Sequence, residues 1–197
     1  DTRREGLEEY GIPKINAAYE YGGEDLIKKE IYQLTGIEID RTLVIDFNGF
    51  KEIIDVLGGV RITVEEPLDD DLSGAHFEPG TYDMDGEQAL SFARCRATSG
   101  GDIDRIARQQ YLINEIVKQK LNLSIISKTP RLIEILNRRT QTDFTIWDFC
   151  SIGFMLLFSS KDIDRVTIPT ISANIDNISF QIADEEEVKD FLSDYLK

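Results

Sequence analysis

Cysteine is scarce in this sequence: the 197 residues hold two, Cys95 and Cys150, which excludes the disulfide framework of a small secreted module. Whether the pair is bridged or free stays open at this point. The single histidine, His76, has neither a second histidine nor a cysteine pair nearby, so the usual donor set of a zinc site is missing. Long apolar runs are also missing; the longest, residues 153–158, is far too short to cross a bilayer. Positive charge is short as well, with 22 Lys plus Arg against 37 Asp plus Glu and a net charge of -15. A general attraction to DNA, RNA or anionic lipid is therefore disfavoured, and any anion must be bound by a local exception. Only 5 prolines and 14 glycines occur, while 41% of residues are hydrophobic and 30% charged, as in a globular protein.

The length suits one domain with a sizeable core, and no repeat, low-complexity tract or composition break divides residues 1–197. Apolar spacing through Leu26, Ile27, Ile31 and Leu34 predicts a helix over 24–34, bounded by Gly23 and Gly36. A short β-branched run over 42–47 predicts a strand, 50–57 a helix closed by Gly58-Gly59, and 60–64 a second strand. Strand, helix, strand in that order predicts an α/β fold, a three-layer α-β-α sandwich around a mixed central sheet. Residues 67–83 are acidic and turn-rich and read as one long surface loop. The Asp69-Asp70-Asp71 run within it lacks the spacing of an EF-hand and reads as a solvated turn. Helices follow over 86–92, from Asp102 or Asp104 to 121, and over 130–136, 145–158 and 185–196, with a late strand over 165–168.

The local exception lies at residues 94–108, which hold four of the chain's 12 arginines and a formal charge of +2. Arg94 and Arg96 are two apart and share a face in extended backbone; Arg105, Arg108 and Gln109 share a face on a helix. Two short elements joined at Gly100-Gly101 could aim four guanidinium groups at one volume. With the helix starting after Asp104, Arg105 and Arg108 fall in its first turn, where positive charge is unfavourable unless an anion is bound. Arginine forks suit phosphate oxygens, and the cluster contains no lysine. The competing reading is a solvated face of ion pairs with Asp102, Asp104 and the acidic loop. Cys95, between two of these arginines, reads as a small packing residue, as does Cys150.

Four segments carry a resemblance: KINAAYEYGG from Lys14, VIDFNGFKEIIDVLGGV from Val44, DGEQALSFARCR from Asp85 and GDIDRIARQQ from Gly101. In order and spacing the chain resembles the LytR-CpsA-Psr family of cell-wall glycopolymer transferases, most clearly over residues 1–120. The resemblance implies an extracytoplasmic, membrane-anchored phosphotransferase of a Gram-positive-type envelope. Such an enzyme moves teichoic acid, capsule or another wall polysaccharide from a polyprenyl-pyrophosphate carrier to peptidoglycan. It implies that Arg94, Arg96 and Arg105 are catalytic and that these three, with Arg108 and Gln109, bind the pyrophosphate. Lys14 opens a matching segment and is either a further phosphate contact or a solvated side chain.

Asp1-Thr2 resembles the end of a Pro-Arg-Asp-Thr motif, so the chain is expected to begin inside the domain. The resemblance then implies that Mg2+ is held by aspartates upstream of Asp1, and that the membrane anchor lies upstream too. Asp102 is expected to cap its helix, to fix Arg105 or to activate an acceptor hydroxyl. Phe149, Phe154, Met155, Leu157 and Phe158, or the face of Ile113, Ile116 and Val117, would line a groove for the isoprenoid tail or belong to ordinary core. Two other classes compete with the transferase: a non-catalytic module for an anionic lipid or polysaccharide, and a transcriptional attenuator. The charge and the lack of a helix-turn-helix pattern argue against the latter binding DNA.

Overall fold

A computed structural model describes residues 14–98, 100–120, 122, 124–158, 166–175 and 178–195. The chain divides into two compact units, Asp1–Thr42 with Val166–Lys197, and Leu43–Arg165. In the first unit, α1 (Ala18–Thr35) bends at Gly23, whose φ of 62° is outside helical space, and stops at Gly36 in the left-handed region. The strands β7 (Ile171–Ile175) and β8 (Ile178–Ile182) form an antiparallel ladder, and α7 (Glu185–Tyr195) follows. Leu34 of α1 packs with Ala183 and with Val188 and Leu192 of α7 in a small core.

The second unit carries the arginine cluster. Its elements are β1 (Leu43–Ile45), α2 (Phe47–Leu57), β2 (Val60–Val64), β3 (Leu68–Asp70), β4 (Ala75–Phe77), β5 (Gly80–Met84), α3 (Gly86–Arg94), α4 (Asp102–Lys120), α5 (Ile125–Arg139), β6 (Thr140–Thr142) and α6 (Ile146–Phe158). Side-chain caps set two helix starts: Asp46 Oδ1 accepts the Gly49 N–H at 2.6 Å, and Asp85 with Gln88 makes a capping box. In β2 the residues Val60, Ile62 and Val64 turn inward while Arg61 and Thr63 turn outward. They meet Ile54 of α2, Met84 of β5, Phe92 of α3 and Leu112 of α4 in the main core. Each large side chain buried there contributes roughly 1.5–3 kcal/mol.

The α/β class stands, with helices and strands interleaved along the chain. Strand pairing differs from the mixed sheet expected. Among the described residues every ladder is two-stranded and antiparallel: β1 with β6, β2 with β5, β3 with β4, β7 with β8. The strands flanking α2 therefore belong to different ladders, because β2 finds its partner in the chain that returns at β5. The long loop over 67–83 is corrected as well. It contains β3, β4 and most of β5, since Leu68, Ala75 and Phe77 point into the core while Asp69 and His76 face water. The helix expected over 130–136 runs over Ile125–Arg139 with Pro130 inside it, so proline is not its first-turn residue. No strand occupies 166–168, and Arg165 lies outside the described residues.

Candidate functional site

The site is built where the end of α3 meets the start of α4. Arg94 is the last residue of α3, and Cys95 breaks the helix with extended backbone (φ -55°, ψ 132°), so Arg96 leaves on a new course. That course is tied down by the β3–β4 hairpin: the Arg96 N–H donates to Asp70 Oδ2 at 2.9 Å. The same carboxylate receives the Leu72 N–H at 3.1 Å through Oδ1. These contacts, the Arg96 N–H first among them, hold the Asp70 carboxyl below its usual range.

Further along, Asp104 folds back toward the Gly100-Gly101 hinge and accepts the Gly100 N–H at 2.8 Å. Its carboxyl is held low chiefly by the Thr98 hydroxyl, then by that N–H. The helix α4 begins at Asp102, close to the earlier of the two starts that the sequence left open. Its first turn thus contains acids; Arg105 is the fourth residue, at that turn's edge, and Arg108 lies a turn beyond, where the field of the helix end has faded. The electrostatic anomaly inferred for Arg108 is removed by this start. Asp102 lies outside the described side chains.

Two residues of α4 reach across to the backbone on either side of Arg94. Arg108 Nη2 donates to the Cys95 carbonyl at 2.6 Å, with Nη1 3.5 Å from Thr98 Oγ1. Gln109 Nε2 donates to the Ala93 carbonyl at 3.2 Å. The two arginine-bearing elements are thereby pinned together. Exposure grades along them: Arg94 and Arg96 are exposed, Arg105 is half-buried, and Arg108 is buried at 9%. Beside Arg108 a cavity of about 570 Å3 opens, lined by Thr63, Glu65, Phe92 and Tyr111 among others. Cys95 is a free, buried thiol in the main core, consistent with a packing role; the side chain of Cys150 lies outside the described residues.

Two contacts at the site were invisible to spacing. Arg94 places its guanidinium carbon over the Phe47 ring, 4.8 Å from the centroid. Phe47 lies in a segment that carried the resemblance, where the sequence pattern placed it at the end of a strand, whereas it opens α2. Asp70, read as part of a solvated turn, instead anchors Arg96.

The other expected residues have surroundings of their own. In the first unit, Lys14 places its Nζ 4.8 Å from the Phe180 ring centroid. His76 sits between two carboxylates, Nδ1 2.6 Å from Asp69 and Nε2 3.7 Å from Asp71. Among the tail candidates, Phe149 stacks on Phe144 at 5.1 Å and lines a cavity of about 230 Å3 with Ile133 and Leu136. Phe154, Met155 and Ile113 are exposed, Ile116 packs on the main core and Val117 is half-buried. The side chains of Leu157 and Phe158 lie outside the described residues.

Among the described residues, no group of three or more His, Cys, Asp or Glu side chains is arranged to hold a metal, and no helix is long and apolar enough to cross a membrane.

Several known proteins share this sequence pattern and fold. The chain is 30% identical over 197 residues to the regulatory protein MsrR of Staphylococcus aureus, covering 94% of this chain and 60% of that protein. It is 30% identical over 190 residues to the polyisoprenyl-teichoic acid–peptidoglycan teichoic acid transferase TagU of Halalkalibacterium halodurans, covering 95% of this chain and 62% of that one. The chain thus spans about three-fifths of the length of these curated relatives. The crystal structure of Bacillus subtilis TagV superposes with a TM-score of 0.77 at 29% identity, covering 93% of this chain and 74% of that one. A TagT structure bound to LIIa-WTA, at 22% identity and a TM-score of 0.72, shares the fold. With its family model matched from residue 2 to residue 196, across both compact units, the chain belongs to the LytR_cpsA_psr family.

Proposed function

We propose that this chain is the transfer domain of a phosphotransferase that moves a cell-wall glycopolymer from a polyprenyl-pyrophosphate carrier to peptidoglycan at the outer face of the membrane. The observation that supports it is the pinning of the Arg94–Arg96 segment to α4 through Arg108 and Gln109, which gathers arginines in a strongly acidic chain. The name of the TagU relative points to the same chemistry.

In this reading a peptidoglycan hydroxyl attacks the sugar-bearing phosphate, and polyprenyl phosphate leaves. Positioning and charge neutralisation supply most of the assistance in such a displacement. Arg94, Arg96 and Arg105 grip the pyrophosphate oxygens and absorb the charge that develops on them. Arg108 and Gln109, expected from the resemblance to touch the ligand, spend donors on the Cys95 and Ala93 carbonyls and so keep the grip in shape. Among the described residues no carboxylate cluster fits magnesium.

Thermal shift with geranyl pyrophosphate, with and without Mg2+, tests the proposal. A ligand present at a hundred times its Kd stabilises the folded state by about 2.7 kcal/mol. For a chain of this size that raises the melting temperature by about 5–10 °C. Arg94→Ala and Arg105→Ala should each remove the rise; an undiminished rise in both variants would place the ligand somewhere else. Turnover with a lipid-linked glycopolymer separates a transferase from a module that only binds.

A further inference from the structure

Phe47 opens α2 with 58% of its surface exposed, whereas Phe50, one turn on, packs against the core. Core packing does not explain an aromatic ring at this corner. Its partner is a cation, the Arg94 guanidinium at 4.8 Å from the ring centroid. The segment beneath the ring is held by several contacts. Asp46 caps α2 through the Gly49 N–H, Arg139 Nη1 lies 3.8 Å from Asp46 Oδ2, and Arg139 Nη2 reaches Glu52 at 3.0 Å.

How an arginine is held decides what it can still do. Arg108 spends donors on Cys95 and Thr98, Arg61 is paired with Asp83 at 2.8 Å, and Arg138 is paired with Glu52. In each case N–H groups are consumed, and in the ion pairs the charge is also neutralised. A ring face consumes no N–H and cancels no charge, because it attracts the guanidinium through its quadrupole. The N–H groups of Arg94 therefore remain available for phosphate oxygens while the ring holds the cation in place.

We propose that Phe47 is a positioning residue which holds the Arg94 guanidinium face-on, so that its edge addresses the phosphate of the ligand. This rests on the pyrophosphate reading above and adds a residue to it. The energy of an exposed cation–π contact corresponds to a loss of about fivefold in affinity when the ring is replaced by an aliphatic side chain.

The test combines side-chain NMR of Arg94 with titration of inorganic pyrophosphate. In the unliganded chain the ring current should displace the Arg94 side-chain protons upfield, and Phe47→Leu should return them to ordinary positions. Phe47→Leu should weaken pyrophosphate binding about fivefold, with Phe47→Tyr and Phe47→Trp within about twofold of the parent. Melting temperatures of the variants should match the parent, since the ring is exposed; Phe47→Met is the second aliphatic variant if leucine perturbs folding. A parent chain that binds no pyrophosphate overturns the functional reading and this inference with it. Pyrophosphate binding that Phe47→Leu or Phe47→Met leaves unchanged, or Arg94 side-chain protons that Phe47→Leu leaves in place, overturns the positioning role alone.

Discussion

Replacing Arg108 by methionine separates the job of bracing the site from the job of binding its ligand. Arg108 is 9% exposed, and its short bond runs from Nη2 to the Cys95 carbonyl at 2.6 Å. A hydrogen bond from a charged donor to a buried acceptor is worth about 1.5–3 kcal/mol, much of it the penalty of leaving the acceptor unmet. The contact with Thr98 Oγ1, at 3.5 Å, is at the limit of hydrogen-bond length and adds little. Methionine retains most of the apolar stem, so the cavity contribution is small. The expected cost is about 2 kcal/mol, or a fall of about 4–8 °C in melting temperature for a chain of this length. Urea unfolding should show a lower midpoint with an unchanged slope. Measured well below the transition, pyrophosphate binding should weaken severalfold, because the tie that orders residues 95–98 is gone. Arg94→Ala should behave in the opposite way: its exposed ring contact is worth less than about 1 kcal/mol to stability, yet binding should be lost. An Arg108→Met protein with the parent's urea midpoint and no affinity for pyrophosphate would refute the bracing role and make Arg108 a ligand contact.

Gly86→Ala should destabilise the second unit by about 1–3 kcal/mol, seen as a lower urea midpoint. A Cβ there would lie 2.3 Å from the Lys51 carbonyl oxygen and 2.6 Å from Lys51 Cα, so α3 must move off α2 and weaken the bond from the Gly86 N–H to Asp55 Oδ1. Asp70 predicts an acid limit for the site. Its carboxyl is held below the ordinary value near 3.9, chiefly by the Arg96 N–H, so the unfolded chain takes up its proton first as pH falls. The stabilisation is complete above about pH 4 and is lost as pH drops through the lower native value. The Arg96 amide resonance should report that loss in the parent and stay flat over the same window in Asp70→Asn; an amide that titrates alike in both would remove Asp70 as its anchor.

Features set by neighbours in the chain were legible beforehand. The capping signals at Asp85 and the glycines after α1 and α2 place helix ends correctly, since a cap and a left-handed residue act within one turn. Starts moved where a side chain chose between candidates: Asp46 caps α2 at Phe47 although the apolar pattern begins at Phe50. Ladders were the least legible elements, because a strand's partner can lie far along the chain, as when Leu43–Ile45 pairs with Thr140–Thr142. In β3 and β4 the turn residues of a three-residue-stranded hairpin outnumber its inward Leu68, Ala75 and Phe77, and so the alternation was masked.

The site divides along the same line. Clustering of Arg94, Arg96, Arg105 and Arg108 is a property of sequence spacing, and the family resemblance could be read from the same stretch. The division of labour among them is not, because identical side chains acquire different jobs from groups contributed by distant segments. Phe47 gives Arg94 a face to rest on, and Asp70 fixes the backbone of Arg96. The Cys95 carbonyl takes up Arg108 only because α3 ends where it does, 13 residues earlier in the chain. An arginine whose donors meet a buried carbonyl becomes structure, and one whose plane meets a ring stays available to a ligand. The order of exposure, with Arg94 outside and Arg108 within, follows from those partners and not from the charge they share.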